Sequence, residues 1–294
     1  MKQLILSFFK FYFRHFPIRK GKIPILNLLD RLSLTKNVSA TVKFDDNINV
    51  NVNLNDWIQK QIYFFGIYEI EKTETYFWKK IIKPGFIILD IGANIGYYSL
   101  LASKLTGIQG KIYSFEPVKA TFNKLLNNIQ LNNFQNIFIN NIAISDIEGE
   151  IELFVADDLN TGTSSITLHH NFSGQKEIAK SLPLDSFVQS NKEIHKIDLI
   201  KIDVEGSEFH VLKGMKYVLS EFQPFILIEI LDEKLNLVNT NKEEVYAYME
   251  KFNYFPFEII SSDKVKPILV PKEGGLLLFK HAKKDLPAGI IIEK

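Results

Sequence analysis

Four acidic residues stand at the ends of short apolar runs in this sequence. Asp90 and Glu116 end two of these runs, and Asp203 and Glu229 end two later ones. Because ligands of open α/β folds bind beyond the carboxyl ends of the strands, we expect these carboxylates to meet in one crevice. A single acid at a strand end is ordinarily a solvated residue. Four acids together create a negative field that suits a cation or a molecule with many hydroxyls.

The turn after the first run carries two glycines. The segment Asp90-Ile-Gly-Ala-Asn-Ile-Gly96 leads straight into a predicted helix, and glycines there allow a ligand to approach the helix N-terminus closely. The spacing of Gly92 and Gly96 lacks the third glycine of the dinucleotide fingerprint. Glu116 lies 20 residues after Gly96, at the end of the next run, where an acid binds a ribose diol. The pattern indicates a nucleoside site and disfavours a pyrophosphate.

The apolar runs alternate with stretches of helical periodicity, which predicts a parallel, doubly wound sheet. Strands are expected at 86–91, 111–115, 137–144, 198–204 and 225–230, and helices at 97–104, 119–131, 209–219 and 242–251. Two further segments complete the expected elements, an exposed hairpin at 39–53 and a last edge strand at 274–280.

Composition excludes several classes of protein. A chain of 294 residues with 46% hydrophobic residues fits one large α/β domain or two small ones. The absence of cysteine excludes disulfides, thiolate nucleophiles, cysteine-ligated zinc and iron–sulfur clusters. With 35 Lys and Arg against 34 Asp and Glu, the net charge is +1, so a nucleic-acid partner is not expected.

The first residues predict an amphipathic helix. Gln3, Ser7, Lys10 and Arg14 form a narrow polar stripe opposite a wide aromatic face. The helix either packs on the main domain or a second copy of the chain, or contacts a membrane surface through residues 1–22. No apolar stretch reaches the roughly 18 residues of a membrane span, and no signal-peptide cleavage site follows. The expected location is cytoplasmic, with peripheral membrane attachment as the open alternative.

Two other features carry polar chemistry. Lys201 lies inside an apolar run and shares a face with Asp203, so we expect an ion pair, with a role in holding substrate or a catalytic acid as the alternative. His169 and His170 lie in a stretch rich in Thr, Ser, Asn and Gly at 160–175. This composition is typical of a lid that hydrogen-bonds a polyol, or of an ordinary surface loop.

Motifs in the same order as a known family occur across the middle of the chain. They are FIILDIGANIGYYS at 86–99, SFEP at 114–117, NIAISD at 141–146, TGTSS at 161–165, SLPLD at 181–185, DLIKIDVEGSE at 198–208 and VLKG at 211–214. Together they resemble the S-adenosylmethionine-dependent methyltransferases of the FkbM family. The resemblance runs from about residue 83 to residue 230, with GIYE at 66–69 as a lead-in.

The resemblance implies a class I methyltransferase (Rossmann-like) fold, a doubly wound, mostly parallel seven-stranded sheet with an antiparallel edge strand. It implies S-adenosyl-L-methionine as cofactor and O-methylation of a hydroxyl on a sugar, glycan or natural product. We expect an N-terminal helix and hairpin extension at 1–60, the methyltransferase domain at 61–281 and a tail at 282–294. A homo-oligomer is left open.

By position, the resemblance assigns roles to individual residues. Glu116 would hold the ribose hydroxyls, and Asp203 would close the site from the fourth strand. The turn from Asp90 to Gly96 would cradle the amino-acid portion, and 141–143 would lie beside the adenine. The full set of expected cofactor residues is Glu69, Asp90, Gly92, Asn94, Gly96, Ser99, Glu116, Pro117, Asn141, Ala143 and Asp203.

The expected reaction sets its own requirements. Acids at the strand ends favour a positively charged sulfonium, and in-line methyl transfer gains much of its rate from alignment. A hydroxyl acceptor must also lose a proton, which calls for a general base. Asp203 and Glu205 are the first candidates, followed by His210 and Glu229. Carboxylates suit magnesium, but their spacing does not demand a metal, and none is predicted.

Three rival interpretations remain. One is a nucleic-acid ribose or other small-molecule methyltransferase of the same fold. Another is a nicotinamide oxidoreductase that uses Glu116 on ribose, against which the missing third glycine counts. The third is a non-catalytic cofactor-binding module docked through the N-terminal helix.

Overall fold

A computed structural model describes residues 1–16, 21–45, 47–155, 176–272 and 274–293. The helices are α1 Lys2–His15, α2 Lys22–Arg31, α3 Trp57–Phe65, α4 Lys72–Ile81, α5 Tyr97–Thr106, α6 Lys119–Gln130, α7 Leu184–Ser190, α8 Glu208–Lys213, α9 Asp232–Leu235 and α10 Lys242–Lys251. The strands are β1 Ser39–Phe44, β2 Ile48–Asn53, β3 Ile87–Ile91, β4 Lys111–Phe115, β5 Ile137–Asn140, β6 Ala143–Ser145, β7 Gly149–Phe154, β8 Lys176–Pro183, β9 Leu199–Ile202, β10 Phe225–Ile230, β11 Tyr254–Ser261, β12 Lys264–Pro267, β13 Gly274–His281 and β14 Ile291–Ile292.

The largest sheet of the described chain has the strand order β14-β12-β11-β13-β10-β9-β3-β4-β5. The five strands from β10 to β5 are parallel, which confirms the doubly wound fold. Two details differ from expectation. The sheet has nine strands, and the antiparallel strand β13 lies between β10 and β11 instead of at an edge. Residues 276–279 of β13 are buried. A strand inside the sheet is covered by apolar layers on both faces, which suits this continuous apolar run.

The predicted hairpin at 39–53 is confirmed as the antiparallel pair β1 and β2, but it is not exposed as expected, because its apolar face, with Ile48, Val50 and Val52, is buried in the core. The expected strand at 137–144 is instead divided between β5, in the large sheet, and β6, in a three-stranded sheet with β8 and β7. Asn141 lies at the break, where its side-chain amide donates to the carbonyl oxygens of Glu116 and Pro117. The expected helix at 209–219 is also interrupted, since α8 ends at Lys213 and a separate π-helical turn covers Val218–Phe222.

Two apolar layers cover the large sheet. Side chains alternate along each strand, so neighbouring residues pack into different layers. Ile88, Leu199 and Leu227 pack with the N-terminal layer, which consists of α1 to α6 and the β1–β2 hairpin. Their neighbours, such as Leu89 and Ile200, pack with α7 to α10 on the other face. The charged residues described below interrupt the first of these layers.

The helix α1 packs on α3 through buried Leu6 and Phe13. The Arg14 guanidinium donates to the carbonyl oxygens of Ile62 and Tyr63, near the C-terminal end of α3, where a cation also complements the helix dipole. No helix in the described ranges is long and apolar enough to cross a bilayer.

Candidate active site

Strand alternation directs three charged side chains toward the N-terminal layer. Asp90, Lys201 and Glu229 each lie two residues after a side chain that packs in that layer, and therefore point to the same face of the sheet. With Asp203 they line a cavity of about 260 Å³ between the carboxyl ends of the strands and the helices α3 and α4. The expected convergence of strand-end carboxylates is observed here.

The glycine turn is anchored by Glu116. One carboxylate oxygen accepts a hydrogen bond from the Asn94 backbone N–H at 3.0 Å, and the other accepts from the Val118 N–H at 2.9 Å. Gly92 and Asn94 have φ values of +85° and +49°. Burial raises the pKa of Glu116 to about 7, against the backbone donors that favour its ionised form. Glu116 thus holds the shape of the turn as well as lining the cavity.

Two oxygens of this wall have no protein partner. The Asp90 Oδ2 atom accepts from the Ser99 hydroxyl at 2.5 Å, which lies 2.7 Å from the Ser114 hydroxyl. The Asp90 Oδ1 atom and the Asn94 Oδ1 atom are buried without a hydrogen-bond partner in the described chain. Burial raises the pKa of Asp90, while the Lys201 charge opposes that shift. Unpaired buried acceptors are costly, so a ligand that donates hydrogen bonds is favoured here.

The expected ion pair of Lys201 is confirmed. Its ammonium is 2.7 Å from the Asp203 carboxylate and 4.6 Å from the centre of the Tyr98 ring. Burial disfavours the charge of Lys201, but the surrounding acids, led by Asp203, raise its pKa above the ordinary value. Burial opposes the charge of Asp203 in turn, yet Lys201 holds the pKa of Asp203 below its usual value. The ion pair therefore favours the ionised form of Asp203.

A second lysine joins two other acids. The Lys234 ammonium lies 2.6 Å from a carboxylate oxygen of Glu205 and 2.6 Å from one of Glu229. Glu205 stands on a left-handed turn with φ of +56°, and the Glu208 carboxylate accepts from the backbone N–H groups of Val204 and Gly206 on either side of it. Burial, helped by the Asp203 charge, raises the pKa of Glu205 to about 8 although Lys234 opposes this.

One acid of the cavity comes from the N-terminal layer. Glu71 lies at the start of α4 and accepts a hydrogen bond from the Tyr98 hydroxyl at 2.6 Å. Burial and the Asp203 charge raise the pKa of Glu71 to about 7. Neither Glu71 nor Lys234 was expected from the sequence. Glu71 lies just beyond the GIYE segment at 66–69, and this adjacency is the one signal that pointed toward it.

Most of the expected site residues share this cavity. Those that line it are Asp90, Gly92, Asn94, Glu116, Pro117, Ala143, Asp203, Glu205 and Glu229. Ser99 and Asn141 instead support the wall from behind, through their bonds to Asp90 and to the carbonyls of residues 116 and 117. Gly96 begins α5, and a Cβ there would meet the Leu125 side chain at 2.6 Å.

Two expected residues lie elsewhere. His210 is outside the cavity lining, and its ring nitrogen is 2.8 Å from the Asp146 carboxylate, which also pairs with Lys213. Burial alone would raise the pKa of Asp146, but these two partners outweigh that effect and lower the pKa to about 2. This placement separates His210 from the other candidate bases, which line the cavity. Glu69 pairs with Lys72 at 3.4 Å and lines a second cavity beside α1.

The segment 160–175, with His169 and His170, and the TGTSS motif at 161–165 lie outside the described residues. Within the described ranges, no group of three or more His, Asp or Glu side chains is arranged to hold a metal ion.

Gly92 is expected to tolerate no side chain. A Cβ at this position would lie 1.9 Å from the Asp203 carbonyl oxygen, and the Asp203 N–H is bonded to the Ile91 carbonyl, so the strand end cannot yield. Gly92→Ala should therefore cost about 1–3 kcal/mol of stability from overpacking, in addition to the backbone strain. Urea unfolding measures the loss.

The matched control is Gly85→Ala. Gly85 has φ of +77° and nothing within 4 Å of its Cβ position, so this variant carries the backbone strain alone. Equal losses of unfolding free energy in the two variants would contradict the close approach of Gly92 to Asp203.

The fold and the site define a class of protein. A parallel sheet whose central order is β10-β9-β3-β4-β5, a glycine turn after β3 and an acid at the end of β4 are the features of a class I methyltransferase. A family model for the methyltransferase FkbM domain matches residues 90–256, more than half of the chain. The chain belongs to the FkbM methyltransferase family, and its cofactor is S-adenosylmethionine.

Several known proteins are similar to this chain. Methyltransferase 1 of Beauveria bassiana is 21% identical over 221 residues, covering 69% of this chain and 84% of that protein. The hexuronic acid methyltransferase AglP of Haloferax volcanii is 28% identical over 144 residues, covering 49% of this chain and 55% of that protein. The solved structure of an FkbM methyltransferase from Methylobacillus flagellatus is 15% identical, with a TM-score of 0.43, covering 88% of this chain and 58% of that one.

Proposed function

We propose that this chain transfers the methyl group of S-adenosylmethionine to a hydroxyl of a sugar, glycan or natural product. The observation that carries the proposal is the Glu205 carboxyl group. It lines the cavity, and burial raises its pKa to about 8. A hydroxyl must lose its proton as the methyl group arrives, and a base with a pKa near the working pH removes that proton most efficiently.

The residues of the cavity fit the cofactor. The unpartnered oxygens of Asp90 and Asn94 are acceptors suited to an ammonium group, and Asp203 adds negative charge near them. We assign the amino-acid portion of the cofactor to these residues and to Gly92. We assign the ribose hydroxyls to Glu116, and we place the adenine beside Ala143. When bound, the cofactor supplies a methyl group on positively charged sulfur. The carboxylates of this wall favour a cation and would repel a pyrophosphate.

The other charged residues of the cavity prepare the acceptor side. Glu205 accepts the proton of the acceptor hydroxyl. Lys234 holds Glu205 and Glu229 in place through its two ion pairs. Lys201 favours the ionised form of Asp203 and holds its carboxylate through an ion pair from the strand β9. Tyr98 donates to Glu71, so that this acid faces the cavity in one orientation. The residues thereby align the two reactants, which supplies much of the rate in an in-line displacement.

The acceptor class rests on the lining of the cavity. Carboxyl groups of Glu71, Glu205 and Glu229 are hydrogen-bond acceptors for a molecule with several hydroxyls. A relative named as a hexuronic acid methyltransferase, which aligns with half of this chain, supports a sugar acceptor. We infer that a sugar hydroxyl is the preferred methyl acceptor.

An acceptor screen tests this function. The protein is incubated with S-adenosylmethionine and, separately, with uronic acid glycosides, neutral glycosides, polyhydroxylated natural products and a short RNA. Formation of S-adenosylhomocysteine measures turnover, and the carbon chemical shift of the new methyl group identifies the atom that carries it. We expect a methyl ether on a sugar or polyol hydroxyl. A methyl ester, an N-methyl product or turnover on RNA alone would overturn the proposal.

A further inference from the structure

The exposed side of α1 carries three large apolar residues beside the polar Gln3, Ser7 and His15. Leu4, Phe8 and Phe11 follow helical spacing and therefore share one face, and their exposed fractions are 76%, 63% and 56%. Two residues of the predicted polar stripe instead contact the helix α3 of the same chain. Arg14 donates to the carbonyls of α3, and the Lys10 ammonium lies 5.0 Å from the centre of the Tyr63 ring. The helix thus presents aromatic side chains to its surroundings.

The second helix also carries exposed apolar side chains. The Lys22 ammonium, at the start of α2, donates to the carbonyls of Phe13 and Phe16, and the Lys2 ammonium donates to the Lys36 carbonyl beyond the end of α2. The two helices therefore run antiparallel, and we call the pair α1 and α2 the N-terminal hairpin. Leu28 on α2 and Leu32, which directly follows the last residue of α2, are both exposed. Single apolar residues are normal on a surface, but several large ones exposed on one helix pair favour an interaction site.

The hairpin also carries most of the charge asymmetry of the chain. The whole sequence has a net charge of +1, yet its first 29 residues contain no Asp or Glu. They contain six cations, of which two lie outside the described residues: Lys2, Lys10, Arg14, Arg19, Lys20 and Lys22. A protein partner would need a surface that is both acidic and apolar to match the hairpin. An anionic bilayer has both properties, since its headgroups are negatively charged and its acyl chains are apolar.

We propose that the N-terminal hairpin docks on the surface of an anionic lipid bilayer. Leu4, Phe8 and Phe11 enter the boundary between headgroups and acyl chains, and the net positive charge of the hairpin, which no Asp or Glu in the first 29 residues of the chain offsets, attracts the anionic headgroups. This combination of exposed aromatic residues and flanking cations is that of helices that lie in a membrane interface. The hairpin adjoins the active-site cavity through α3, whose first residues, Trp57 and Ile58, line that cavity.

Vesicle co-sedimentation tests the docking. The full chain is mixed with vesicles of phosphatidylcholine alone, or of equal parts phosphatidylcholine and phosphatidylglycerol, at low and high salt. We expect binding to the anionic vesicles, weakened by salt because added ions screen the attraction between the cationic hairpin and the lipid charges. The double variant Phe8→Ser with Phe11→Ser should lower the partition coefficient at least about tenfold, since it removes two interfacial aromatic side chains without changing the charge. Leu28→Ser with Leu32→Ser provides an independent variant on α2.

The matched control is Ile108→Ser with Leu269→Ser, which removes two apolar residues that are 90% and 92% exposed elsewhere. This control should bind like the wild type. Equal binding by the phenylalanine variant, or no binding by the wild type, would overturn the proposal. A lipid-free dimer in analytical ultracentrifugation that dissociates in the phenylalanine variant would assign the face to a second copy of the chain and would overturn it equally.

Discussion

Replacing Glu116 by alanine is expected to weaken the binding of S-adenosylhomocysteine at least about 100-fold. Hydrogen bonds to an ionised group contribute about 1.5–3 kcal/mol each, and the ribose offers two hydroxyls. The variant also releases the Asn94 and Val118 N–H groups that Glu116 holds, so the glycine turn loses its anchor. Isothermal titration calorimetry with S-adenosylhomocysteine measures the change.

Two variants accompany that measurement. Glu150→Ala removes an exposed carboxylate on β7 and should leave the affinity unchanged. Glu116→Gln keeps one acceptor oxygen but places an amide where the second backbone N–H donates, so its affinity should fall between those of the wild type and Glu116→Ala. Wild-type affinity in Glu116→Ala would show that the cofactor binds elsewhere.

Glu205→Gln is expected to lower kcat by about 100- to 10,000-fold, the usual contribution of a general base. Glutamine has nearly the same shape and can still accept from Lys234, so the cavity should keep its form. The affinity for S-adenosylhomocysteine should stay at the wild-type value, because we place Glu205 on the acceptor side. The comparison of kcat with ligand affinity separates loss of the base from loss of the site.

The control for this variant is His210→Gln, which breaks the contact with Asp146 outside the cavity and should retain turnover. If His210→Gln loses kcat and Glu205→Gln does not, the assignment of the base is wrong. Loss of cofactor affinity in Glu205→Gln would also refute its role as a base.

The pH dependence of kcat/KM should carry the signature of the same carboxyl group. Burial raises the pKa of Glu205 to about 8, and the base acts only when deprotonated. The rate should therefore rise with pH below about 8 and level off above it. This rising limb should disappear in Glu205→Gln. A limb that persists unchanged in the variant would point to another acid, of which Glu71, with a pKa raised to about 7 by burial, is the next in the cavity.

Periodicity was sufficient to predict the parallel strands at the centre of the sheet and one wall of the site. A strand that is buried on both faces has apolar residues at almost every position, so its limits are visible in the sequence. The strands β3, β4 and β10 accordingly begin and end within one residue of the predicted positions. Acids at the strand ends are local signals, and parallel packing brings them together without further information. The pairing of Lys201 with Asp203 followed in the same way, because two residues on one strand share a face.

The opposite wall could not be predicted in this way. Glu71 enters the cavity from the start of α4, and Lys234 enters it from the four-residue helix α9. Both positions depend on packing between segments far apart in sequence, and a lysine or glutamate in a short polar stretch is ordinarily a solvated residue. The same reason explains the position of β13, since its place between β10 and β11 is fixed by pairing and not by its own pattern.

The most direct test of the account is thermal unfolding of the wild type and of Glu116→Ala with S-adenosylmethionine, S-adenosylhomocysteine and NAD. A ligand at about 100 times its Kd adds about 2.7 kcal/mol to the stability of the folded state, which raises Tm by several degrees. We predict this rise in the wild type with the two adenosyl compounds, none with NAD, and none with any of the three in Glu116→Ala. A rise with NAD alone, or the same rise in the wild type and the variant, would contradict the assignment of this cavity.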